Sequence, residues 1–194
     1  MIKDMSEWIV YIAIGVLVYF KPKIDAWLKK RKVSISRSVF IIEQIDNHCY
    51  YLSGLLGAKR VSVWQFGNGD TSFMGFSFKY ASMVGEAVRS EQKSLRNESQ
   101  KIPIYDYVPI LAQLKEREGV FEYQTNSLKG KNAYHILTSL DIISSAECKL
   151  NPNRIEDGFI SIAFDTDRML NLQEESEVER VAYEIYSLLK QEAK

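Results

Sequence analysis

Residues 142–164 read IISSAECKLNPNRIEDGFISIAF, and this stretch decides the fold that we expect. The segments Ile142–Leu150 and Gly158–Phe164 are rich in apolar residues and have the length of strands. Asn151-Pro152-Asn153 lies between them, and these residue types favour turns. We therefore predict a β-hairpin whose connection is longer than the tight two-residue kind.

Strand-like segments also occur earlier in the chain. In Arg60–Phe66, successive side chains are predicted to face opposite sides of a strand. Gly67-Asn68-Gly69-Asp70 follows and is a strong turn signal. Phe73–Val84 then has a second strand-like pattern. These two segments are predicted to pair as a hairpin. Val120–Tyr123 is predicted to be a further short strand.

Helical patterns lie between and after the strands. The closing helix, Glu174–Glu192, has an apolar face and an acidic first turn, which suits the helix dipole. Asp165 and Asp167 are expected to cap it. The shorter elements are helices at Ile110–Glu118 and Ala133–Leu140 and a helix or mobile connection at Glu86–Gln100. The order predicts an α+β fold, an antiparallel sheet of five or six strands flanked by helices that pack mainly on one face.

An apolar stripe marks the helix predicted between about Val33 and Leu56, before Gly57 ends it. Its residues recur at spacings of three and four, close to a coiled-coil seam. The stripe could pack on its own domain, or it could form the seam of a parallel homodimer. The stripe consists of Ile42, Ile45, Cys49, Leu52 and Leu56.

The amino-terminal segment differs from the rest of the chain. Trp8–Phe20 reads WIVYIAIGVLVYF, without a charge, and a basic cluster ends at Lys32. An apolar helix with a basic collar is typical of a membrane anchor. We expect residues 1–32 to form a hydrophobic, membrane-associated helix with a basic juxtamembrane segment, and residues 33–194 to form one cytoplasmic domain. The residues expected at the lipid interface are Trp8, Tyr19, Phe20, Lys21 and Lys23.

Two other interpretations of this segment stay open. Thirteen apolar residues span roughly 20 Å, which is less than the roughly 30 Å hydrocarbon core, so the helix could instead be buried in an oligomer or assembly. A cleaved signal is disfavoured, because the basic cluster follows the apolar run instead of preceding it.

The charge balance argues against nucleic acid as a partner. The first 32 residues hold seven Lys or Arg and three Asp or Glu, which leaves 18 basic and 22 acidic residues, a net charge of −4, in the remainder. A nucleic-acid-binding domain usually carries a basic patch. Cys49 and Cys148 are far apart in the sequence, so we predict that they are buried apolar residues and not a redox or metal-binding pair.

Catalytic and metal-binding signatures are absent from the sequence. His48 and His135 are the only histidines, and neither belongs to a cluster with metal-ligand spacing. Gly67 and Gly69 precede a strand and no Lys-Ser/Thr follows, so they do not form a phosphate loop. We predict no metal, no cofactor and no enzymatic activity.

The order of elements resembles the GAF domain, a small sensory fold related to PAS. The resemblance covers about residues 35–192 and is carried by Ala133–Leu137, the strand Ile143–Leu150, the NPNRIED connection, the strand Gly158–Phe164 and the opening segment RVSVWQFGNGD. It implies a domain that acts by sensing, binding or dimerisation.

The resemblance also implies a pocket between the sheet and the short helices. No cysteine stands where a bilin would be attached, and the Asn-Lys-Phe-Asp-Glu motif of cyclic-nucleotide-binding members is absent, so neither ligand class is supported. Aromatic residues that alternate on strands usually form a filled core, and we expect a filled, ligand-free core ahead of a ligand pocket. The matching positions are Trp64, Phe66, Phe78, Tyr80, Tyr105, Tyr107, His135 and Ser145.

Together these features favour a membrane-anchored, GAF-like domain that acts by binding, as a small-molecule sensor or a protein adaptor. It is expected to be homo-oligomeric, with a possible protein partner. The alternative is a structural protein whose apolar amino terminus inserts into a membrane pore or a viral particle.

Overall fold

The computed structural model describes residues 19–23, 37–67, 80–89 and 92–192. The chain divides into two units, Met1–Phe40 and Ile41–Lys194. In the described part of the first unit, residues 19–23 and 37–40 are helical. Lys23 Nζ lies 4.4 Å from the centroid of the Tyr19 ring.

The predicted anchor falls largely outside this description, because Trp8 and the ten residues that follow it are not described. Tyr19 and Phe20 are both exposed. Among the described residues, no helix is both long enough and apolar enough to cross a membrane.

Six strands and four helices are described between residues 37 and 192. The described part of helix α1 covers residues 37–56, and strand β1 follows at Arg60–Gly67. Each of the two short 3-10 turns, Ile104–Tyr107 and Thr125–Leu128, lies beside a strand. The remaining elements are β2 (Tyr80–Val88), β3 (Ile102–Pro103), α2 (Val108–Glu116), β4 (Val120–Gln124), α3 (Asn132–Ser139), β5 (Ser144–Asn151), β6 (Arg154–Phe164) and α4 (Leu172–Glu192).

The strands form one antiparallel sheet in the order β3-β2-β1-β6-β5-β4. The predicted α+β class and the antiparallel sheet are confirmed. The hairpin connection between β5 and β6 is tighter than expected, because Asn151 pairs with Arg154 and leaves only a two-residue turn. The Asn151 side chain stabilises this turn by accepting a hydrogen bond from the backbone N–H of Asn153 at 3.1 Å.

Strand β2 extends beyond its predicted end at Val84. Glu86 pairs with Ser62 and Val88 pairs with Arg60, so the start of the polar segment predicted as a helix or connection is sheet instead. The described residues 92–100 contain no helix. The predicted strand residues before Tyr80 lie outside the described chain.

Helices α1 and α4 cover one face of the sheet and form the main core with it. On α4, the fully buried residues are Val178, Val181, Ala182 and Ile185. The cap of α4 is Asn171, whose Oδ1 accepts hydrogen bonds from the N–H groups of Gln173 and Glu174 at 3.0 Å. The expectation that Asp165 and Asp167 cap this helix is wrong.

The apolar stripe of α1 belongs to this core. Ile45, Cys49, Leu52 and Leu56 are all 0% exposed, whereas Ile42 is 41% exposed. The hypothesis of a dimer seam is corrected here, because four of its five side chains are already covered by the sheet and α4 of their own domain. Self-association by another surface stays a prediction.

The opposite face of the sheet is covered by the first 3-10 turn, α2 and α3. A second, smaller core lies there, and it includes Ile110, Tyr123, Ala133, Leu137 and Ile142. The expectation that helices pack mainly on one face is therefore wrong. Like the long helices, the short helices α2 and α3 have apolar residues that must be buried. These residues pack against the second face of the sheet.

Candidate functional site

A cavity of about 160 Å³ lies between the second face of the sheet and helices α2 and α3. Strands β1, β5 and β6 supply its floor, because alternate side chains of a strand point to the same face. The apolar part of the wall comes largely from Trp64, Phe159, Met83, Leu111, Ile136, Leu137 and Leu140.

The floor contains a buried carboxyl group, that of Glu147 on β5. Ala146, Cys148 and Leu150 face the main core on the other side of the strand, so Glu147 faces the second side of the sheet, where it borders the cavity. The Oε1 atom of Glu147 accepts hydrogen bonds from the Tyr123 hydroxyl at 3.0 Å and from the Ser161 hydroxyl at 2.9 Å. The Oε2 atom is buried and has no hydrogen-bond partner among the described residues.

Burial controls the protonation of this group. Removal from water raises the pKa of Glu147 from 4.5 to about 8, although the hydrogen bonds from Ser161 and Tyr123 act in the opposite direction. The carboxyl group is therefore mostly protonated at neutral pH. A protonated carboxyl can donate one hydrogen bond as well as accept others, so Glu147 can offer a ligand either function.

The cation that borders the cavity already has a partner. Arg60 on β1 forms a buried ion pair with Glu86 on β2, and its second guanidinium nitrogen donates to the Lys93 carbonyl oxygen at 2.9 Å. Glu86 also accepts a hydrogen bond from the backbone N–H of Leu95 at 3.1 Å. This local neutralisation leaves Glu147 as the carboxyl that faces the cavity without a charged partner in the described chain.

Aromatic side chains give the cavity flat walls. The rings of Trp64 and Phe159 are stacked, with centroids 6.2 Å apart and planes at 8°. The indole N–H of Trp64 donates to Ser62 Oγ at 2.9 Å, so it is satisfied without a ligand. Burial raises the pKa of Tyr107 to about 12, so this phenol stays neutral through the physiological range.

The structure brings two of the predicted pocket residues, Trp64 and Tyr107, to the cavity wall. Phe66 lines a separate shallow groove with Ile104 and Val108 instead. Ser145 is buried opposite Tyr123 but does not border the cavity. Phe78 lies outside the described residues.

The other three predicted pocket residues point elsewhere. Tyr105 is 69% exposed, and His135 is exposed on α3, where Ile136 faces the cavity. On β2, a bulge at Val63/Trp64 leaves Val84 as an extra residue, and Ala81 and Met83 border the cavity while Tyr80 does not.

Sequence reasoning missed the polar residues of the site. Glu147 and Glu86 each stand in the middle of a strand whose neighbouring residues are buried. A charged residue in such a segment is rarely buried unless it has a partner. A glutamate within an apolar strand was therefore the sequence signal for a buried polar site.

Other reactive groups do not add to the site. Cys49 and Cys148 are free and buried, and burial raises the pKa of the Cys148 thiol to about 12. Among the described residues, no group of three His, Cys, Asp or Glu could hold a metal ion. Asp165 accepts a hydrogen bond from Arg89 at 2.9 Å, and Asp167 accepts one from Gln124 at 2.9 Å, so both carboxylates are engaged in the fold.

Two of the solved structures that are similar to this chain are GAF domains. The phycocyanobilin-bound GAF domain of a cyanobacterial phytochrome is 14% identical, with a TM-score of 0.61 over 87% of this chain and 94% of that one. The GAF domain of PixJ from Thermosynechococcus elongatus, in its blue-light-absorbing form, is 15% identical, with a TM-score of 0.59 over 80% of this chain and 88% of that one.

This chain has a GAF-like fold. A domain of a putative two-component sensor histidine kinase protein from Sinorhizobium meliloti is also similar, at 10% identity and a TM-score of 0.54 over 78% of this chain and 91% of that one. No family profile and no curated protein matches the sequence. At these identities the likeness establishes the fold alone.

Proposed function

We propose that this GAF-like domain is a non-catalytic, ligand-binding sensor whose cavity holds a small molecule. The observation that carries the proposal is the cavity bordered by Glu147, whose buried Oε2 atom has no hydrogen-bond partner among the described residues. A buried polar atom without a partner is costly, and a bound ligand is one way to satisfy it.

The size of the cavity limits the ligand. A cavity of about 150 Å³ in another protein holds one benzene molecule, and the cavity in this domain is about 160 Å³. A linear tetrapyrrole such as the phycocyanobilin of the similar GAF domain contains four rings and is too large for this volume. The proposed ligand therefore contains about one ring.

Filling the cavity tests the proposal. Ala163→Leu and Ala81→Leu each add a side chain at the cavity wall, whereas Ala112→Leu adds the same group at an exposed position on α2. A set of single-ring compounds should raise the melting temperature of the wild type and of Ala112→Leu. It should not raise that of the filled variants. If every folded variant responds alike, the compounds bind elsewhere and the proposal is wrong.

We further propose that the domain works at a membrane through its amino-terminal segment. The support is the uncharged run of Trp8–Phe20 and the basic cluster that follows it. The full-length protein should stay in membranes after a carbonate wash, and a chain that begins at Val33 should be recovered in the supernatant. If the full-length protein also washes off, the alternative of an assembly protein with a buried amino terminus takes the lead.

A further inference from the structure

We propose that the ligand of the cavity carries a basic nitrogen that pairs with the Oε2 atom of Glu147. This inference rests on the proposed function and narrows it to a chemical class, a nitrogen base of about one ring. The two hydrogen bonds at Oε1 fix the orientation of the carboxyl group, so Oε2 is the atom that remains for a ligand.

The charges around the cavity favour a base over an acid. Arg60 would be the natural partner of an anionic ligand, but Glu86 already neutralises it inside the fold. A carboxylate or phosphate ligand would also lie near Glu147, which loses its proton as the pH rises. A protonated nitrogen instead gains an ion pair with the same group, and such a hydrogen bond is among the stronger ones in proteins.

The walls favour a flat molecule over a hydroxyl-rich one. Trp64, Tyr107 and Phe159 present aromatic surface to the cavity, and a cation near an aromatic face is further stabilised. The polar atoms of Ser62 and Ser161 already take part in hydrogen bonds within the fold. A sugar would therefore bury several hydroxyl groups with few partners, which disfavours it.

Glu147 should make the binding depend on pH. Among the described residues, the titratable side chains that border the cavity with Glu147 are Tyr107, Tyr123 and Arg60, and Glu86 is the partner of Arg60. Lys149, on the same face of β5 as Glu147 and outside the cavity, donates a hydrogen bond to the Lys115 carbonyl oxygen at 3.4 Å. Burial raises the pKa of both tyrosines, so they stay neutral over the pH range of the binding. In the described chain, α2 and α3 contribute apolar side chains to the wall.

A primary amine that binds as an ammonium ion must displace the proton of Glu147. Because the pKa of Glu147 is about 8, the affinity should rise about tenfold per pH unit up to pH 8 and level off above it. An uncharged molecule of the same shape has no reason to follow this profile.

The test uses benzylamine and its uncharged analogue benzyl alcohol, titrated into the full-length protein by calorimetry between pH 6 and pH 9. Benzylamine should show the profile described above, and benzyl alcohol should not. At pH 7, calorimetry in buffers of different ionisation enthalpy should detect the release of close to one proton per benzylamine bound. This second readout needs no variant.

Glu147→Gln keeps the shape of the side chain but cannot ionise, so its benzylamine affinity should be low and independent of pH. Glu122→Gln, on the neighbouring strand and outside the cavity, serves as the matched control and should behave as the wild type does. A flat benzylamine profile without proton release in the wild type would overturn the inference, as would an unchanged profile in Glu147→Gln.

The outcomes separate the two proposals. If benzyl alcohol binds in the cavity and benzylamine does not, the sensor proposal stands and the inference about the basic nitrogen fails. If neither probe binds and the broader set of single-ring compounds also fails, the proposed function itself is wrong.

Discussion

The hydroxyl group of Tyr123 donates a hydrogen bond to Oε1 of Glu147 at 3.0 Å, between the neighbouring strands β4 and β5. The two residues are diagonal neighbours, since Tyr123 is directly opposite Ser145 and Glu147 is opposite Phe121. This contact stabilises the ionised carboxyl, yet burial outweighs it and the pKa of Glu147 still rises to about 8. The fold therefore retains a buried carboxyl that hydrogen bonding only partly compensates.

Glu147 should make the folded state less stable as the pH rises. Between its ordinary pKa of 4.5 and the folded value of about 8, the folded chain keeps a proton that the unfolded chain has lost. Unfolding free energy should then fall by up to about 1.4 kcal/mol per pH unit, and the loss should stop above pH 8. Glu147→Gln removes this dependence. Urea unfolding at intervals from pH 5 to pH 8 measures the difference between the two proteins, and parallel curves would contradict the prediction.

Gly85 on β2 has no room for a side chain. A β-carbon built there would lie 2.3 Å from Cγ2 of Ile45, which is fully buried in α1. Gly85→Ala should reduce the unfolding free energy by about 1–3 kcal/mol, because overpacking forces neighbouring side chains off their rotamers. Thermal and urea unfolding would measure the change.

Two matched variants test this explanation of Gly85. Gly54→Ala, in α1 with no atom within 4 Å of the added carbon, should stabilise the protein by about 0.5–1 kcal/mol. In an Ile45→Ala background, which removes the clashing methyl group, the cost of Gly85→Ala should largely disappear. An equal cost in both backgrounds would mean that another contact causes it.

Leu52 and Leu55 lie on the same helix but differ in burial. Leu52 is fully buried in the main core, whereas Leu55 is largely exposed. Leu52→Ala should lower the unfolding free energy by about 2–5 kcal/mol, and Leu55→Ala should change it by less than about 0.5 kcal/mol. Urea unfolding and sedimentation would be run on both. A Leu52→Ala protein that keeps its stability but loses self-association would restore the dimer-seam hypothesis.

Much of the fold could be predicted because the sequence pattern and the burial agree. The stripe that contains Ile45 and Leu52 identified the buried face of α1, and Gly158–Phe164 fell within β6. The pattern could not say which surface covers that stripe, because packing on a sheet of the same domain and pairing with a second helix both require the same spacing of apolar residues. The distribution of α2 and α3 over the second sheet face depends on contacts between distant segments, which local periodicity does not encode.

The site was less predictable than the fold. Trp64 and Tyr107 were identified because the GAF resemblance implies a pocket beside the elements that carry them. Tyr80 was misplaced because the extra residue Val84 shifts the alternation of β2, and a bulge has no clear signature in this sequence. Glu147 was missed because its role depends on burial and on Oε2 lacking a partner, and both follow from the tertiary structure.

Replacing only one partner of the ion pair between Arg60 and Glu86 should strongly lower the free energy of unfolding. Both side chains are buried, so Glu86→Gln leaves the guanidinium group without its counter-charge and should cost about 3–5 kcal/mol of unfolding free energy. Arg60→Met combined with Glu86→Gln removes the isolated charge and should recover part of this loss. Glu98→Gln serves as the control, because the Lys93–Glu98 pair is exposed and should contribute at most about 1 kcal/mol. If the double variant loses as much as the two single variants together, Arg60 and Glu86 act independently, and the neutralisation that leaves Glu147 available to a ligand does not hold.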